Sequence, residues 1–195
     1  MRGNRFAAMS HARAIGDNER LEHDEYETPN DVTDVLLDHV KFTGPVLEPS
    51  SGSGRMARRI RERTGLHVEA RDICLGHDYL KFRDTWHGDT ITNPPYHKGM
   101  ADAFVARALA TTTGKVAMLL QAGFMFGSDR TQDLFRLFPP ELVITVPWRI
   151  RFYIGDSDKK IRSQAYNHCW FVWDNQRLGR PATRLLFPAL TQAVT

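Results

Sequence analysis

The spacing of apolar positions changes several times along the chain, and each change marks an element. Val32, Val35, Leu36 and His39 recur at helical spacing and share one face. Thr28 stands as N-cap before them, Pro29 suits the first helical position and Asp31 completes a box-like start. Pro45, Val46, Leu47 and Glu48 form a short apolar strand that ends in an acid. A serine- and glycine-rich loop follows, then a basic helix over about 55–63. A second strand is predicted over 66–70 and a third over 89–92. Phe104, Val105, Ala108 and Leu109 define one face of a helix over 101–110. The unbroken apolar run over 115–120 has the pattern of a central parallel strand. Residues 121–128 read as a loop, and 131–138 as a short helix ended by Pro139 and Pro140. Strands over 142–146 and 166–173 have no helix between them, so they are expected to pair antiparallel. Alternating strands and helices predict an α/β sheet. Residues 1–24 show no sustained period and are expected to form a flexible arm, with 25–195 as one domain.

Composition adds little to this picture. The net charge of +3 is too mild to point to nucleic acid by itself, so the placement of basic residues must carry that argument. Cys74 and Cys169 show neither metal-ligand spacing nor a disulfide framework, which suits a reducing cytoplasm. No apolar run has the length of a membrane span, and the arginine-bearing N-terminus lacks the apolar core of a signal peptide. Neither a metal nor a membrane partner is expected.

Candidate chemistry concentrates at strand ends. Asn93, Pro94, Pro95 and Tyr96 follow the strand over 89–92. The prolines donate no backbone hydrogen bond, and they push Asn93 toward extended geometry. Such a rigid corner can offer the Asn93 oxygen and the Pro94 carbonyl to an amine, with Tyr96 stacked on the ring that bears it. Its plainer reading is a turn after a strand. The run from Gly52 through Gly54 to Ala57 matches a dinucleotide-binding fingerprint, with Asp72 downstream. Yet Glu48, Pro49, Ser50 and Ser51 precede the first glycine. A pyrophosphate wants bare backbone there, and a carboxylate repels it. Glu48 instead suits a ligand with a cationic amine, such as the methionine end of S-adenosylmethionine. Asp72 can accept both ribose hydroxyls or cap a turn. Asp78 can accept from an adenine amine beside an apolar wall.

With these stretches in this order, the chain resembles S-adenosylmethionine-dependent amino-methyltransferases. Within them it looks like the DNA N6-adenine branch with the γ order of motifs, and like its short phage- and prophage-type members. The resemblance assigns Tyr26, Thr28 and Pro29 to the cofactor's methionine end. It assigns Glu48, Pro49, Ser50, Gly52 and Gly54 to the cofactor loop, Asp72 to the ribose, Asp78 and Tyr79 to the adenine, and Ile73 to the cofactor's surroundings. Asn93, Pro94, Pro95 and Tyr96 become the catalytic motif, with Asn93 also beside the cofactor. The implied fold is a Rossmann-like seven-stranded sheet, mostly parallel with an antiparallel last strand and helices on both faces. The implied activity is methyl transfer to adenine N6 in DNA, site-specific or of low specificity, in a bacterial or phage-infected cell. No counterpart of the family's usual target-recognition domain is expected within these residues.

DNA is the expected partner, with RNA second, and monomer or homodimer is left open. Tyr96, Lys98, Arg149, Arg151, Lys159, Lys160 and Arg162 are the expected nucleic-acid contacts. The last five belong to a basic, aromatic-containing loop between the final two strands, on the same sheet edge as Asn93. A solvated hairpin is its plainer reading. Competing functions are methyl transfer to RNA or to a protein glutamine, a catalytically silent nucleic-acid-binding module and, last, a dehydrogenase.

Overall fold

A computed structural model describes residues 26–155, 166–177 and 182–189. In chain order the strands and α-helices are β1 (Tyr26–Glu27), α1 (Asn30–His39), β2 (Val46–Glu48), α2 (Arg55–Thr64), β3 (Val68–Ala70), β4 (Asp89–Thr92), α3 (Met100–Thr111), β5 (Lys115–Gln121), β6 (Leu142–Thr145), β7 (Tyr153–Ile154), β8 (His168–Asp174) and β9 (Arg184–Leu186). Among the described residues they build a seven-stranded sheet of order β3-β2-β4-β5-β8-β6-β9 and a separate pair, β1-β7. Within the large sheet only β8 runs against the others. The two strands expected to pair antiparallel, β6 and β8, do so. One further strand, β9, lies beyond them and runs parallel to β6.

Period-two alternation in the central strands divides the core between the two faces. On one face, Ala117 and Leu119 of β5 and Trp170 and Val172 of β8 pack with Val32 and Leu36 of α1 and Ala57 and Ile60 of α2. On the other, Val116, Met118 and Leu120, with Phe171 and Trp173, pack with Phe104, Val105 and Ala108 of α3. Each large apolar side chain so buried contributes roughly 1.5–3 kcal/mol. The indole N–H groups on β8 find partners on both sides. Trp170 donates to the Val32 carbonyl at 2.9 Å and Trp173 to the Phe138 carbonyl at 2.9 Å. Asp34 joins α1 to α2 through Arg59 and Arg63 at 2.6 and 2.8 Å.

Several local expectations change. Pro29, not Thr28, is the N-cap of α1, at φ −60° and ψ 150°, with no cap hydrogen bond from its side chain, while Asp31 Oδ1 accepts from Val32 N–H at 2.9 Å. The Pro29 carbonyl instead accepts from Val32 and Thr33, both at 3.2 Å. His39 is exposed although its helical spacing aligns it with the buried face. The short helix expected over 131–138 is a wide π-helical turn, Arg130–Phe135. Because six strands run parallel, the loops after β2, β3, β4, β5 and β6 all leave from one sheet edge. The expected arm over 1–24 lies outside the described residues.

Candidate active site at the carboxyl edge

Glu48 closes β2 with its side chain buried. The chain then turns through Gly52 and Gly54, whose φ values of +51° and +84° favour residues without a Cβ, and Gly54 caps α2. Arg71 donates its N–H to the Glu48 carbonyl at 2.8 Å, and its own carbonyl accepts from Ser51 at 3.0 Å. Asp72, also buried, accepts from Gly52 N–H and from Cys74 N–H, both at 2.9 Å. It therefore ties the glycine loop to the short helical turn Ile73–Leu75 that it caps. Each carboxylate oxygen keeps a second lone pair, so both hydroxyls of a ribose can still be accepted. Ile73 is 65% exposed beside it.

Burial pushes the Glu48 carboxyl well above the usual carboxylate range, and the neighbouring Glu27 adds to the push. Glu48 Oε2 is buried and has no hydrogen-bond partner in the structure. A buried acceptor of this kind is costly to leave unmet. The primary ammonium of a methionine end would supply both the hydrogen and the charge, so the residues present fit S-adenosylmethionine. Pro49 is buried and Ser50 half-buried at the start of the same loop.

Asp78 caps the turn Tyr79–Lys81, accepting from Leu80 N–H at 3.0 Å. Tyr79 lies in the core, its ring centroid 5.1 Å from that of Phe104, and burial pushes its hydroxyl up to about 12. Its ring thus backs the Asp78 turn from the inside.

The Asn93 corner leaves β4 beside the start of α1. Asn93 Nδ2 donates to Thr28 Oγ1 at 3.2 Å. Thr28, released from capping duty, thereby joins the two sequence motifs that flank the site. The Tyr96 hydroxyl lies 2.7 Å from Asn93 Oδ1 and 2.7 Å from the Leu119 carbonyl of β5. One phenolic proton is shared between two acceptors, which leaves a lone pair of Asn93 Oδ1 for another donor. Burial pushes the Tyr96 hydroxyl far up, so it stays protonated. The Tyr96 ring is half-buried, with its centroid 5.8 Å from the ring of His168 at an interplanar angle of 57°. Burial lowers the His168 imidazole to about 4, so that ring is neutral near pH 7. Pro94 is buried and Pro95 half-buried.

The loop after β6 returns along this edge. Arg149 and Arg151 are exposed and alternate with buried Ile150 and Phe152. Tyr153 then pairs with Glu27 across β1-β7, and the Arg55 guanidinium sits 4.0 Å over the Tyr153 ring. Lys159, Lys160 and Arg162 lie outside the described residues, as does the Lys98 side chain.

Glu27 is the site residue that the sequence reading missed. It is 4% exposed, and its carboxylate accepts from the backbone N–H groups of Ser53 and Arg55 at the start of α2. A Cβ on Gly52 would overlap Glu27 Oε1. The available signal was an acid directly before Thr28 and Pro29.

No protein-family model matches the chain, and no curated protein matches it in sequence. Solved structures match it by shape. A modification subunit assigned to a type I restriction enzyme of Vibrio vulnificus YJ016 superposes with a TM-score of 0.56 at 12% identity, over 88% of this chain and 49% of that one. The methyltransferase subunit of a type I restriction-modification system from Streptococcus thermophilus gives 0.51 at 15% identity, over 81% and 45%. This chain spans about half the length of each. These likenesses establish the fold: a Rossmann-like α/β fold of the methyltransferase type, with a mostly parallel seven-stranded sheet.

Proposed function

We propose that this protein uses S-adenosylmethionine to methylate the exocyclic N6 amine of adenine in DNA. The observation that carries the reading is the convergence of Thr28, Asn93 and Tyr96 at the end of β4, on the sheet edge that also holds the buried, unmet oxygen of Glu48. An amine acceptor and an ammonium acceptor on one edge are what two-substrate methyl transfer requires.

S-adenosylmethionine, when bound, supplies a methyl group on a sulfonium. Glu48 would hold its ammonium, Asp72 its ribose and Asp78 its adenine amine. The remaining chemistry belongs to Asn93 and its corner. Adenine N6 is a poor nucleophile because its lone pair is delocalised into the ring. Hydrogen bonds from N6 to Asn93 Oδ1 and to the Pro94 carbonyl favour a pyramidal amine with its lone pair free. The cofactor's sulfonium would supply the methyl group and depart as a thioether with the bonding pair, while Asn93 and the Pro94 carbonyl hold N6, whose spare proton would pass to solvent. No strong base is needed before attack, so orientation and fixed dipoles supply most of the rate. The adenine must leave the duplex to reach this corner. Arg149 and Arg151 stand exposed where the backbone would pass.

Tritiated methyl transfer to DNA, RNA and protein in parallel, followed by digestion, tests the proposal. Label should appear in N6-methyladenine from DNA. Label confined to RNA or to glutamine would overturn the substrate while keeping the activity, and absence of label in all three would overturn the activity.

A further inference from the structure

We propose that Glu27 sets the class of ligand that the glycine loop accepts: it closes the start of α2 to phosphates and, with Glu48, forms a two-carboxylate clamp for a primary ammonium. The identity of that ligand as an adenosyl amino acid rests on the function proposed above.

The start of a helix after a glycine loop is ordinarily an anion site, because its N–H groups point outward and the dipole favours negative charge. Here α2 has no acid in its first turn, and its sequence there is basic. The counter-charge arrives from far along the chain. Glu27 brings its carboxylate onto the N–H groups of Ser53 and Arg55 and packs directly against Gly52. It is held there by β1-β7, with Glu27 opposite Tyr153 and Tyr26 opposite Ile154. Arg55, from the first position of α2, covers the Tyr153 ring on the other side. A phosphate at the glycine loop would therefore meet a fixed, buried carboxylate instead of bare amides.

The second observation is Glu48. It is 1% exposed, its Oε2 lacks a partner, and it lies close enough to Glu27 for the two to repel each other. Arg55 near Glu27 and Arg61 near Glu48 offset only part of this repulsion and of the cost of burial, and one ammonium between the carboxylates would relieve the rest. Among the described residues no three acidic, histidine or cysteine side chains are placed to hold a metal ion. A compact organic cation on a chain long enough to reach in is the matching ligand.

Calorimetry on the full chain tests this with two probes. S-adenosylhomocysteine carries the ammonium, and adenosine diphosphate carries a pyrophosphate in its place. Wild type should bind the first and not the second. Glu27→Gln keeps the size and one oxygen acceptor but removes the charge. It should bind S-adenosylhomocysteine at least about tenfold more weakly, the size of one charge-assisted hydrogen bond, and should gain binding of adenosine diphosphate. Glu48→Gln should lose the first ligand without gaining the second, because Glu27 still guards the loop. A Glu27→Gln variant with wild-type affinity for both probes would reduce Glu27 to a helix cap and overturn the proposal. If that variant does not fold, wild type tests the clamp directly. At mildly acidic pH, binding of S-adenosylhomocysteine should release a proton, seen as a buffer-dependent heat, whereas the analogue lacking the amino group should not. Equal proton release by both ligands would overturn the clamp. If wild type binds no adenosyl ligand at all, the function proposed above fails instead. Gain of adenosine diphosphate by Glu27→Gln would then still establish Glu27 as the residue that excludes phosphate.

Discussion

The phenolic hydroxyl of Tyr96 stands midway between Asn93 and Leu119, 2.7 Å from Asn93 Oδ1 and 2.7 Å from the β5 carbonyl. With Thr28 Oγ1 on Nδ2, this fixes the Asn93 amide at both ends. Tyr96 was expected to offer its ring to a base. In the structure it also anchors the group that would accept the amine.

That double role separates two substitutions. Tyr96→Phe keeps the ring and removes only the hydroxyl. Single-turnover methyl transfer should slow by roughly tenfold, the cost of one lost orienting hydrogen bond. Binding of S-adenosylhomocysteine should not change. Tyr96→Ala should also weaken capture of an extruded base, by about 1–3 kcal/mol, read by fluorescence of a base analogue in the target strand. Identical rates for wild type and Tyr96→Phe would show that the hydroxyl does not orient Asn93.

Glu48 carries a conflict between stability and function. Its folded pKa is raised above the ordinary 4.5. Its contribution is therefore complete below that value and is lost as pH rises through the folded value. Glu48→Gln removes that loss. The variant should be more stable than wild type near neutral pH, on the order of 1–2 kcal/mol, and the difference should vanish as pH falls toward about 4. His168 slopes the other way. Its folded value is lowered from 6.5 to about 4, so its contribution is present above 6.5 and is lost on acidification. Urea melts of both proteins across this range cancel the His168 effect in the difference. A Glu48→Gln protein less stable than wild type at neutral pH would contradict the assignment.

The exposed arginines allow a charge test within the described residues. Arg149→Ala combined with Arg151→Ala should weaken DNA binding about equally across sequences. It should flatten the slope of log K against log salt by roughly 2, since each phosphate that an arginine no longer neutralises accounts for about 0.9. Affinity for S-adenosylhomocysteine should stay the same. An unchanged salt slope would mark these residues as a solvated surface.

The sequence exposed some of this more readily than the rest, for physical reasons. β2 is a short apolar run and β4 a short β-prone one, and Pro49 and Pro94 cut them off, so strand propensity and proline placed Glu48 and Asn93 at strand ends. Gly52 and Gly54 announced a loop because their φ values demand glycine. Thr28 misled because Thr-Pro is a strong capping signal, whereas here the Pro29 carbonyl caps the helix and frees the hydroxyl for Asn93. The β1-β7 pair has two residues a side, too few for any period to show, and its partners are remote in the chain. Glu27 went unassigned for the same reason: its place before Thr28 and Pro29 was a signal, but its role exists only once that pair delivers it to α2. β9 escaped notice because only Leu186 of its three residues turns partly inward.

The sharpest test of the proposed catalytic corner pairs Asn93 with Thr28. Asn93→Ala removes the side-chain acceptor but leaves the prolines and Tyr96 in place. The acceptor matters most as the amine becomes pyramidal, so its loss should fall on the transition state. Single-turnover transfer should drop by a factor on the order of a hundred or more, by analogy with loss of one oxyanion-hole donor. Binding of S-adenosylhomocysteine should change little, because Glu48, Asp72 and the glycine loop remain. Thr28→Val tests the same geometry from the other end. An N-cap role would make this change cost about 1 kcal/mol of stability. The structure gives capping to Pro29, so any loss of stability should come only from the Asn93 contact, and transfer should fall several-fold with it as the amide loses the partner of its nitrogen. Asn93→Asp keeps an oxygen toward Tyr96 and lets the Thr28 hydroxyl donate to the other, so it should retain more activity than Asn93→Ala. Thermal melts and single-turnover rates on the three variants decide the matter. A Thr28→Val protein that loses stability but not rate would return Thr28 to capping, and near-normal transfer by Asn93→Ala would remove this corner from the chemistry altogether.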